Sequence, residues 1–313
     1  GVEALQLILG DQKNMRITIC DPAGAGTVLT AMLAAVFIDR TIEKLTGEKA
    51  ISNRLAKSVK HNVSSEMGLK LSEVSDVARK YPEVVSYLEE VGEDLSLEEL
   101  RKVQGGQEVA DKLEEFLSEY GMRCTGEIDI TRDRFRERPG LLCASLLNNI
   151  KNLPVGHAAA SFEQGKQEVE QLIKELVAKV EAAYGKRKAK KLKRQIEIYR
   201  KFVGVREYPK YFWMSYYDVY KQAIMREVNK LVEIDVLKEP RDAYYLSIEE
   251  LIEVVKSGHA NQDLIEERKS AYRSYAALTP PRIIFSDGEV PPVSYSLSIP
   301  SGALAGLGVS TGI

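Results

Sequence analysis

The sequence YGMRCTGEIDITRDRFRERP occupies residues 120–139 and separates two amphipathic helical patterns. Its two glycines allow the backbone to turn sharply on either side of Arg123, because a residue without a Cβ adopts conformations that other residues avoid. Arg123 has apolar neighbours on both sides, so we expect its guanidinium to be partly buried and to pair with a carboxylate. Glu127 and Asp129 are the nearest candidates. The stretch therefore predicts a turning segment held by structural ion pairs among Arg123, Glu127 and Asp129.

Four arginines occupy every second position in the second half of this stretch. Alternation at period two places side chains on one side of an extended segment. One interpretation is a loop held by arginine–carboxylate pairs, and the other is an anion-facing or domain-docking surface. The spacing is compatible with both. The arginines are Arg132, Arg134, Arg136 and Arg138.

Helical periodicity extends over most of the chain on both sides of this stretch. Apolar residues recur at steps of three and four from residue 28 to residue 45, which is the pattern of a helix with one buried face. Residues 162–184 form a long amphipathic pattern, and Gly185 separates it from a partner. Two such patterns joined at a glycine are typical of antiparallel helices. We therefore predict an all-α, elongated, multi-helix domain over residues 1–281.

The carboxyl-terminal stretch differs in composition from the helical part. Pro280 and Pro281 end the last helical pattern, because proline lacks an amide hydrogen and disfavours helix in the residue before it. Residues 283–313 are rich in Pro, Ser, Gly and Val, a composition that favours strands and turns. We predict a short β-rich carboxyl-terminal linker, with the domain boundary between residues 281 and 282.

The overall composition argues against several classes of function. The formal net charge of -2 and the isoelectric point near 6.1 disfavour a nucleic-acid-binding protein, whose affinity depends on neutralising phosphates. No apolar run reaches the length of a membrane span, and the amino terminus has no leader pattern, so we expect a cytoplasmic protein that binds no membrane. The three cysteines are widely spaced and lack the partners that a zinc site needs, so no metal site is predicted.

A second candidate stretch, VREYPKYFWMSYYDVYKQ, spans residues 205–222 and contains the single tryptophan of the chain. Its aromatic residues offer a large, rigid apolar surface, and Pro209 suits the first turn of a helix, where anions are favoured. Arg206 and Lys210, with Glu207 between them, are suited to hold a phosphoryl group as its charge develops. The same spacing fits an aromatic core seam with a flanking ion pair.

Met67 and Gly68 are a third candidate position. A thioether repacks easily around irregular ligands, and the neighbouring glycine leaves space beside it, so this pair is suited to line an adaptable apolar cavity. Ordinary core packing is the alternative. Ser64 or Ser65, just before them, is the expected amino-terminal cap of the helix.

Several stretches, in the same order along the chain, resemble rifampicin phosphotransferases, a branch of the phosphoenolpyruvate-utilising dikinases. The resemblance extends from about Pro22 onward, and the joint occurrence of the segments is far more specific than any one of them. The segments are SVKHNVSSEMGL (58–69), YPEVVSYL (81–88), GGQE (105–108), YGMRCTGEIDIT (120–131), FEQGKQE (162–168), VREYPKY (205–211), YYLSIEEL (244–251) and LTPPRIIFSDGE (278–289).

This resemblance implies that residues 1–281 are most of a rifamycin-binding domain, truncated at its amino terminus. Residues 282–313 are then a linker followed by the first residues of a swivelling phosphohistidine domain. In the family, the REYPK segment lies where the drug-binding and phosphate-carrying domains meet. By that match Arg206 and Lys210 contact the transferred phosphate, and Glu207 orients them or assists at the acceptor hydroxyl.

The resemblance also implies that the reaction is shared among domains of one polypeptide. An ATP-grasp domain splits ATP, a histidine on the swivelling domain carries the phosphoryl group, and the helical domain presents a rifamycin hydroxyl. ATP, rifampicin and water then give AMP, phosphate and phosphorifampicin. This chain has no glycine-rich ATP-binding lobe and no T-x-x-x-G-G-x-x-x-H-x-A segment. We therefore expect ATP and Mg²⁺ in the full-length enzyme, no cofactor in this chain, and no activity of the chain alone.

Two other functions remain open at this point. One alternative is the docking or substrate domain of a phosphoenolpyruvate synthase-like phosphotransferase with a different acceptor, although the helical middle domain disfavours pyruvate as that acceptor. The chain is also suited to be a non-catalytic helical scaffold, which would have no cavity of ligand size.

Overall fold

The structure is a computed structural model that describes residues 1–19, 22–281 and 283–290. Every regular element within these residues is helical, which confirms the predicted all-α class. Short 3-10 turns cover Gly92–Asp94, Pro139–Leu142, Val205–Glu207 and Pro240–Tyr245. The α-helices are α1 (Val2–Ile19), α2 (Pro22–Thr46), α3 (Ile51–Leu55), α4 (Val63–Ala78), α5 (Pro82–Val91), α6 (Leu97–Leu100), α7 (Gly106–Tyr120), α8 (Cys143–Asn152), α9 (His157–Tyr184), α10 (Lys186–Gly204), α11 (Tyr208–Glu233), α12 (Ile248–Ser257) and α13 (Gln262–Ala276).

The chain divides into two compact units. The first comprises residues 1–260 and contains α1 to α12. The second begins at Asn261, whose side-chain oxygen caps α13 by accepting a hydrogen bond from the amide of Leu264 at 3.1 Å. The assignment of residues 282–313 to a linker and a further domain stays a prediction.

The expected β-rich linker is not supported by the described residues. Residues 283–290 contain no strand. Their backbone forms a turn instead, in which the amide of Phe285 donates to the carbonyl of Glu289 at 2.9 Å and the amide of Gly288 donates to the carbonyl of Phe285 at 2.9 Å. A strand needs a neighbour that satisfies its backbone groups, whereas a glycine-containing turn satisfies them locally. Residues 291–313, on which the rest of the expectation falls, lie outside the described residues.

Helices α2, α9 and α10 form one hydrophobic core, with the short α3 packed against them. The predicted pair of long helices corresponds to α9 and α10, which meet at Gly185 with a φ of +83°, a conformation that glycine adopts without strain. Each fully buried Leu or Ile contributes about 1.5–3 kcal/mol by leaving water. The fully buried residues of this core are Ile38, Ile42, Ile51, Leu55, Val180 and Leu192.

Helices α4, α5, α7 and α8 enclose a second hydrophobic core. Helix α7 contributes a stripe at helical spacing, as the periodicity predicted: Val109, Leu113, Phe116, Leu117 and Tyr120. Because Tyr120 is the last residue of α7 and is buried, the chain enters the following segment directly from this core. That segment, residues 121–138, is called the arginine-rich loop below.

Asn62 caps helix α4, so the prediction of Ser64 or Ser65 was wrong. The side-chain oxygen of Asn62 accepts a hydrogen bond from the amide of Ser65 at 2.9 Å. The helix starts at Val63, so both serines lie inside its first turn. Amides in the first turn have no partner within the helix and need an acceptor from the capping residue that precedes it. The hydroxyl of Ser64 instead donates to the carboxylate of Glu207.

Gly204 allows the end of α10 to approach the chain that precedes α4. A Cβ at Gly204 would lie 2.1 Å from the carbonyl oxygen of Lys60, a distance at which the backbone would have to move. The 3-10 turn Val205–Glu207 follows and leads into α11, and it packs against α4. The start of α11 is thereby placed beside the start of α4.

Candidate functional site

The arginine-rich loop folds back on itself through backbone hydrogen bonds. The amide of Arg136 donates to the carbonyl of Gly121, and the amide of Phe135 donates to the carbonyl of Arg123, both at 2.9 Å. Gly126, with a φ of +74°, supplies a turn that a residue with a side chain would adopt only under strain. The loop is therefore a compact series of turns and not an extended segment with its arginines on one side.

The four alternating arginines point to different partners. Arg134 is fully buried, and its guanidinium donates to the carbonyl of Glu127 at 2.7 Å and to the sulfur of Cys124 at 3.2 Å. The other three form ion pairs, namely Arg132 with Asp129 at 3.5 Å, Arg136 with Asp218 at 3.0 Å, and Arg138 with Glu93 at 3.0 Å. This geometry supports the interpretation of a loop held by ion pairs rather than that of an anion-facing surface.

Three charge pairs fasten the arginine-rich loop to α11. Two of them involve α11 side chains that are buried, which marks them as parts of the fold and not as solvated surface pairs. The two buried side chains lie at helical spacing between the buried residues Met214 and Ile224. Their burial could therefore have been predicted from the sequence, but our sequence analysis did not predict it. The pairs are Lys210 with Glu127 at 2.9 Å, Asp218 with Arg136 at 3.0 Å, and Lys221 with Glu137 at 2.6 Å.

Glu127 is shared by two cations. Its side chain is 4% exposed, and its two oxygens accept from Nε and Nη2 of Arg123 at 2.5 and 3.0 Å, while Lys210 lies 2.9 Å from Oε1. Burial raises the pKa of the Glu127 carboxyl, but the hydrogen bonds from Arg123 and Lys210 outweigh it and hold the pKa below its usual range. Glu127 is therefore a buried carboxylate that stays charged.

Asp129 does not join this cluster. Its carboxylate accepts from the amide and the hydroxyl of Thr131 at 2.9 and 2.7 Å and pairs with Arg132. Partial burial raises the pKa of the Asp129 carboxyl, but the hydrogen bonds from Thr131 outweigh this effect, so the net shift of the pKa is downward. Of the predicted set, the structure brings together Arg123 and Glu127 and places Asp129 in a separate turn.

The REYPK corner exposes two cations one helical turn apart. Arg206 lies in the 3-10 turn before α11 and is 61% exposed. Lys210 lies in the first turn of α11 and is 53% exposed, and Pro209 lies in the same turn, as the sequence predicted. Glu207 lies between them, 3.5 Å from the guanidinium of Arg206, and accepts a hydrogen bond from the hydroxyl of Ser64. Both cations are accessible at the amino terminus of a 26-residue helix, where negative charge is favoured.

The aromatic residues of this stretch serve both the core and the surface. Tyr211 packs edge-on against the buried Tyr120 at a centroid distance of 6.4 Å, and its hydroxyl donates to the carbonyl of Glu119 at 3.0 Å. Phe212, which lies 6.0 Å from Tyr211, is exposed, as is Tyr216 one turn further along α11. The stretch is therefore a core seam on one side and an exposed aromatic surface on the other.

Met67 and Gly68 lie in α4, one turn after Ser64, whose hydroxyl donates to Glu207. Met67 is half-buried and packs against the core of α4, α5, α7 and α8. Gly68 is exposed, and a Cβ added there would meet no atom within 4 Å. Nothing in the described packing requires a glycine at this position.

An open cleft of about 460 Å³ lies between the arginine-rich loop, α11 and the turn Pro240–Tyr245. Its rim carries the ion pair of Arg241 with Asp133 at 3.1 Å, and burial raises the pKa of the Tyr244 phenol to about 12. None of the predicted site residues lines this cleft. The lining residues are Asp133, Glu137, Arg138, Lys221, Met225, Glu239, Pro240, Arg241 and Tyr244.

Within residues 1–19, 22–281 and 283–290, no three or more His, Cys, Asp or Glu side chains are grouped so that they could hold a metal ion. No helix in this part of the chain has the length and apolar character needed to cross a membrane.

Comparison with known proteins identifies the family that this sequence resembles. A family profile described as "Rifampicin phosphotransferase fourth domain" matches residues 23–207, which include Arg123, Glu127, Arg206 and Glu207. The rifampicin phosphotransferase of Bacillus subtilis (strain 168) is 44% identical over 315 residues, and that of Bacillus cereus is 41% identical over 315 residues. A third, from Streptomyces sviceus, is 44% identical over 296 residues.

The alignments cover nearly all of this chain and a minor part of each relative. They span 100% of the chain for the two Bacillus proteins and 94% for the Streptomyces sviceus protein, against 36%, 36% and 34% of the relatives themselves. The chain thus spans about a third of the length of the curated relatives that it matches. The profile match extends over more than half of the chain, and on that basis the chain belongs to the rifampicin phosphotransferase family.

Proposed function

We propose that this chain is the acceptor-binding part of a longer phosphotransferase that phosphorylates a rifamycin hydroxyl. The relatives carry the name rifampicin phosphotransferase, and the chain corresponds to a third of their length. The proposed reaction converts ATP, rifampicin and water into AMP, phosphate and phosphorifampicin. In this proposal the ATP-grasp domain, the phosphohistidine domain, ATP and Mg²⁺ belong to the longer polypeptide, and this chain alone is inactive.

The observation that carries the proposal is the pair of accessible cations at the start of α11. Arg206 and Lys210 are both more than half exposed although each has an acidic neighbour. A phosphoryl group in transfer carries charge on its peripheral oxygens, and cations fixed beside it stabilise that charge. We assign to Arg206 and Lys210 the role of holding the transferred phosphoryl group. The amino terminus of α11 adds to the attraction.

Glu207 is assigned a role at the acceptor hydroxyl or in orienting Arg206. One of its oxygens faces Arg206, and the other accepts from Ser64. A carboxylate fixed on both sides is suited either to hold the guanidinium in one orientation or to accept the proton that the attacking hydroxyl releases. Ser64 thereby becomes a positioning residue for Glu207.

The apolar part of the acceptor is proposed to lie against the exposed aromatic surface of α11 and the exposed start of α4. Phe212 and Tyr216 offer aromatic area that is not used by the core, and Gly68 leaves space beside Met67. A bulky macrocycle needs such a broad apolar surface close to a few polar groups. Met67 and Gly68 are the proposed acceptor-binding residues of α4.

The test separates the two half-reactions in the full-length polypeptide. Lys210→Ala and Arg206→Ala should each lower transfer to rifampicin by about 100-fold, the usual cost of removing one group that stabilises developing charge, and should leave phosphorylation of the carrier histidine by ATP unchanged. The matched control is Lys230→Ala, which removes a lysine of the same helix that is 58% exposed and lies 2.9 Å from Glu227. Unchanged transfer in both site variants, or equal loss in the Lys230 control, would refute the proposal.

A further inference from the structure

The partner of Lys210 is unusual for a lysine on the surface of a helix. Lys210 is about half exposed, yet it pairs with Glu127, which is almost fully buried and belongs to the arginine-rich loop. The other described lysines of α11 are held differently. Lys230 pairs with Glu227 of its own helix, three residues earlier. Lys221 also pairs with a carboxylate of the arginine-rich loop, Glu137, but is itself buried. The ammonium of Lys210 is therefore positioned by a group that does not belong to α11.

The position of the Glu127 carboxylate is determined from two directions. Arg123 holds both of its oxygens through Nε and Nη2, which is the two-point geometry that fixes a carboxylate plane. The backbone carbonyl of Glu127 accepts from the buried guanidinium of Arg134 at 2.7 Å. Backbone and side chain of Glu127 are thus both anchored within the arginine-rich loop, and neither anchor depends on Lys210.

The cluster of Arg123, Lys210 and Glu127 carries a net positive charge, which favours the approach of an anion. Arg123 and Lys210 carry two positive charges, and Glu127 carries one negative charge, because its carboxyl is held ionised. One positive charge remains uncompensated within the cluster. Nη1 of Arg123 is buried and has no hydrogen-bond partner among the described residues. A phosphoryl group approaching Lys210 therefore meets net positive charge, while Glu127 restricts the rotamers that a lysine side chain would otherwise sample.

We propose that Glu127 is a positioning residue for phosphoryl transfer, which holds the Lys210 ammonium at the start of α11 in the orientation that receives the phosphoryl group. The inference rests on the role proposed above for Lys210. Arg123 acts one step further away, by fixing Glu127. The arginine-rich loop thereby orients the Lys210 ammonium before the phosphoryl group arrives. This orientation reduces the reorganisation needed during the reaction.

The test is a double-mutant cycle in the full-length polypeptide with Glu127→Gln, Lys210→Met and the combined variant. The kcat and KM for transfer to rifampicin are measured together with the rate of carrier-histidine phosphorylation by ATP. We expect Glu127→Gln to lower the kcat of transfer by about tenfold, because a small misplacement of a catalytic group costs up to about a hundredfold. In the Lys210→Met background the same change should alter kcat by less than about twofold, since residues that act through one another are not additive.

Glu137→Gln is the matched structural control. It removes the carboxylate of a second buried tie between the same loop and the same helix, 2.6 Å from Lys221, without touching Lys210. Glu137→Gln should keep the kcat of transfer within about twofold of the parent under conditions where both variants are folded. If it lowered kcat as much as Glu127→Gln does, the effect would come from loosening the loop, and the inference would be wrong.

The remaining outcomes separate this inference from the function on which it rests. If Lys210→Met lowers transfer but Glu127→Gln costs the same in both backgrounds, Glu127 does not act through Lys210 and the inference is overturned alone. If Lys210→Met has no effect on transfer, the proposed function of Lys210 fails and the inference fails with it. Should Glu127→Gln not fold, Glu127→Asp keeps the charge and withdraws it by one methylene. The same non-additivity with Lys210→Met is then expected, and its absence would overturn the inference.

Discussion

Replacing Glu137 by glutamine should destabilise the chain more than replacing its partner Lys221 by methionine. Lys221 is 3% exposed, and its ammonium donates to the carboxylate of Glu137 at 2.6 Å and to the carbonyl of Arg132 at 2.7 Å. Glu137 is 31% exposed and also accepts from the amide of Arg134 at 2.8 Å. Without Lys221, Glu137 would keep a backbone hydrogen bond and contact with water. Without the Glu137 carboxylate, Lys221 would remain a buried charge with no counter-charge.

The expected magnitudes follow from this difference. Glu137→Gln leaves a buried ammonium without a counter-charge, a change that costs about 3–5 kcal/mol. The glutamine oxygen still accepts one hydrogen bond, so we expect about 3 kcal/mol. Lys221→Met removes the buried charge and fills much of the same volume, while Glu137 keeps its backbone bond and its access to water. The carbonyl of Arg132 loses its donor, so the cost should be about 1 kcal/mol, the net value of one hydrogen bond.

Urea unfolding of the purified chain, followed by far-ultraviolet circular dichroism, measures both values. The free energy of unfolding should fall by about 2 kcal/mol more in Glu137→Gln than in Lys221→Met, with similar dependence on urea concentration in both variants. Equal losses, or a greater loss in Lys221→Met, would mean that the ammonium of Lys221 is not buried between the loop and α11, and our account of that contact would be refuted.

Two further predictions concern stability. Gly204→Ala should lower the free energy of unfolding by more than about 1 kcal/mol, because the new Cβ would clash with a backbone carbonyl. Gly68→Ala, whose Cβ meets open space, should be neutral or stabilise α4 by up to about 1 kcal/mol. Equal effects of the two substitutions on thermal unfolding would contradict this prediction. Glu127→Gln should make the chain less sensitive to acid. Because the pKa of Glu127 is lowered on folding, its stabilisation is present above the unfolded pKa of about 4.3 and is lost as the pH falls through the folded pKa. The urea midpoint should therefore fall further between pH 7 and pH 3 in the parent than in the variant, and parallel curves would exclude this role.

The helical class could be predicted from sequence because helix formation is local. The pairing of α9 with α10 followed from apolar spacing and from Gly185, which are both visible within one stretch of sequence. The error at the start of α4 is also local. Asn62, Ser64 and Ser65 are all good capping residues within four positions, and only the φ and ψ angles of the folded chain determine which of them precedes the helix.

The arginine-rich loop shows where sequence reasoning ends. Arg136 and Arg138 pair with Asp218 and Glu93, residues that are distant along the chain and that spacing within the loop does not reveal. The pairing of Arg123 with Glu127 was accessible, because the two residues are four positions apart. The link from Glu127 to Lys210 was not, since it depends on how α11 packs against the loop. Sequence therefore indicated both halves of the candidate site and gave no sign that one carboxylate joins them.

We propose that the transferred phosphoryl group and the rifamycin hydroxyl meet at the start of α11. A crystal structure of the full-length polypeptide with rifampicin bound tests it most directly. We predict that an ansa-bridge hydroxyl lies beside the ammonium of Lys210 and the guanidinium of Arg206, with the macrocycle against Met67 and the exposed aromatic surface of α11. Rifampicin bound instead in the polar cleft beside Arg241 and Tyr244, with no hydroxyl near Lys210, would contradict the account.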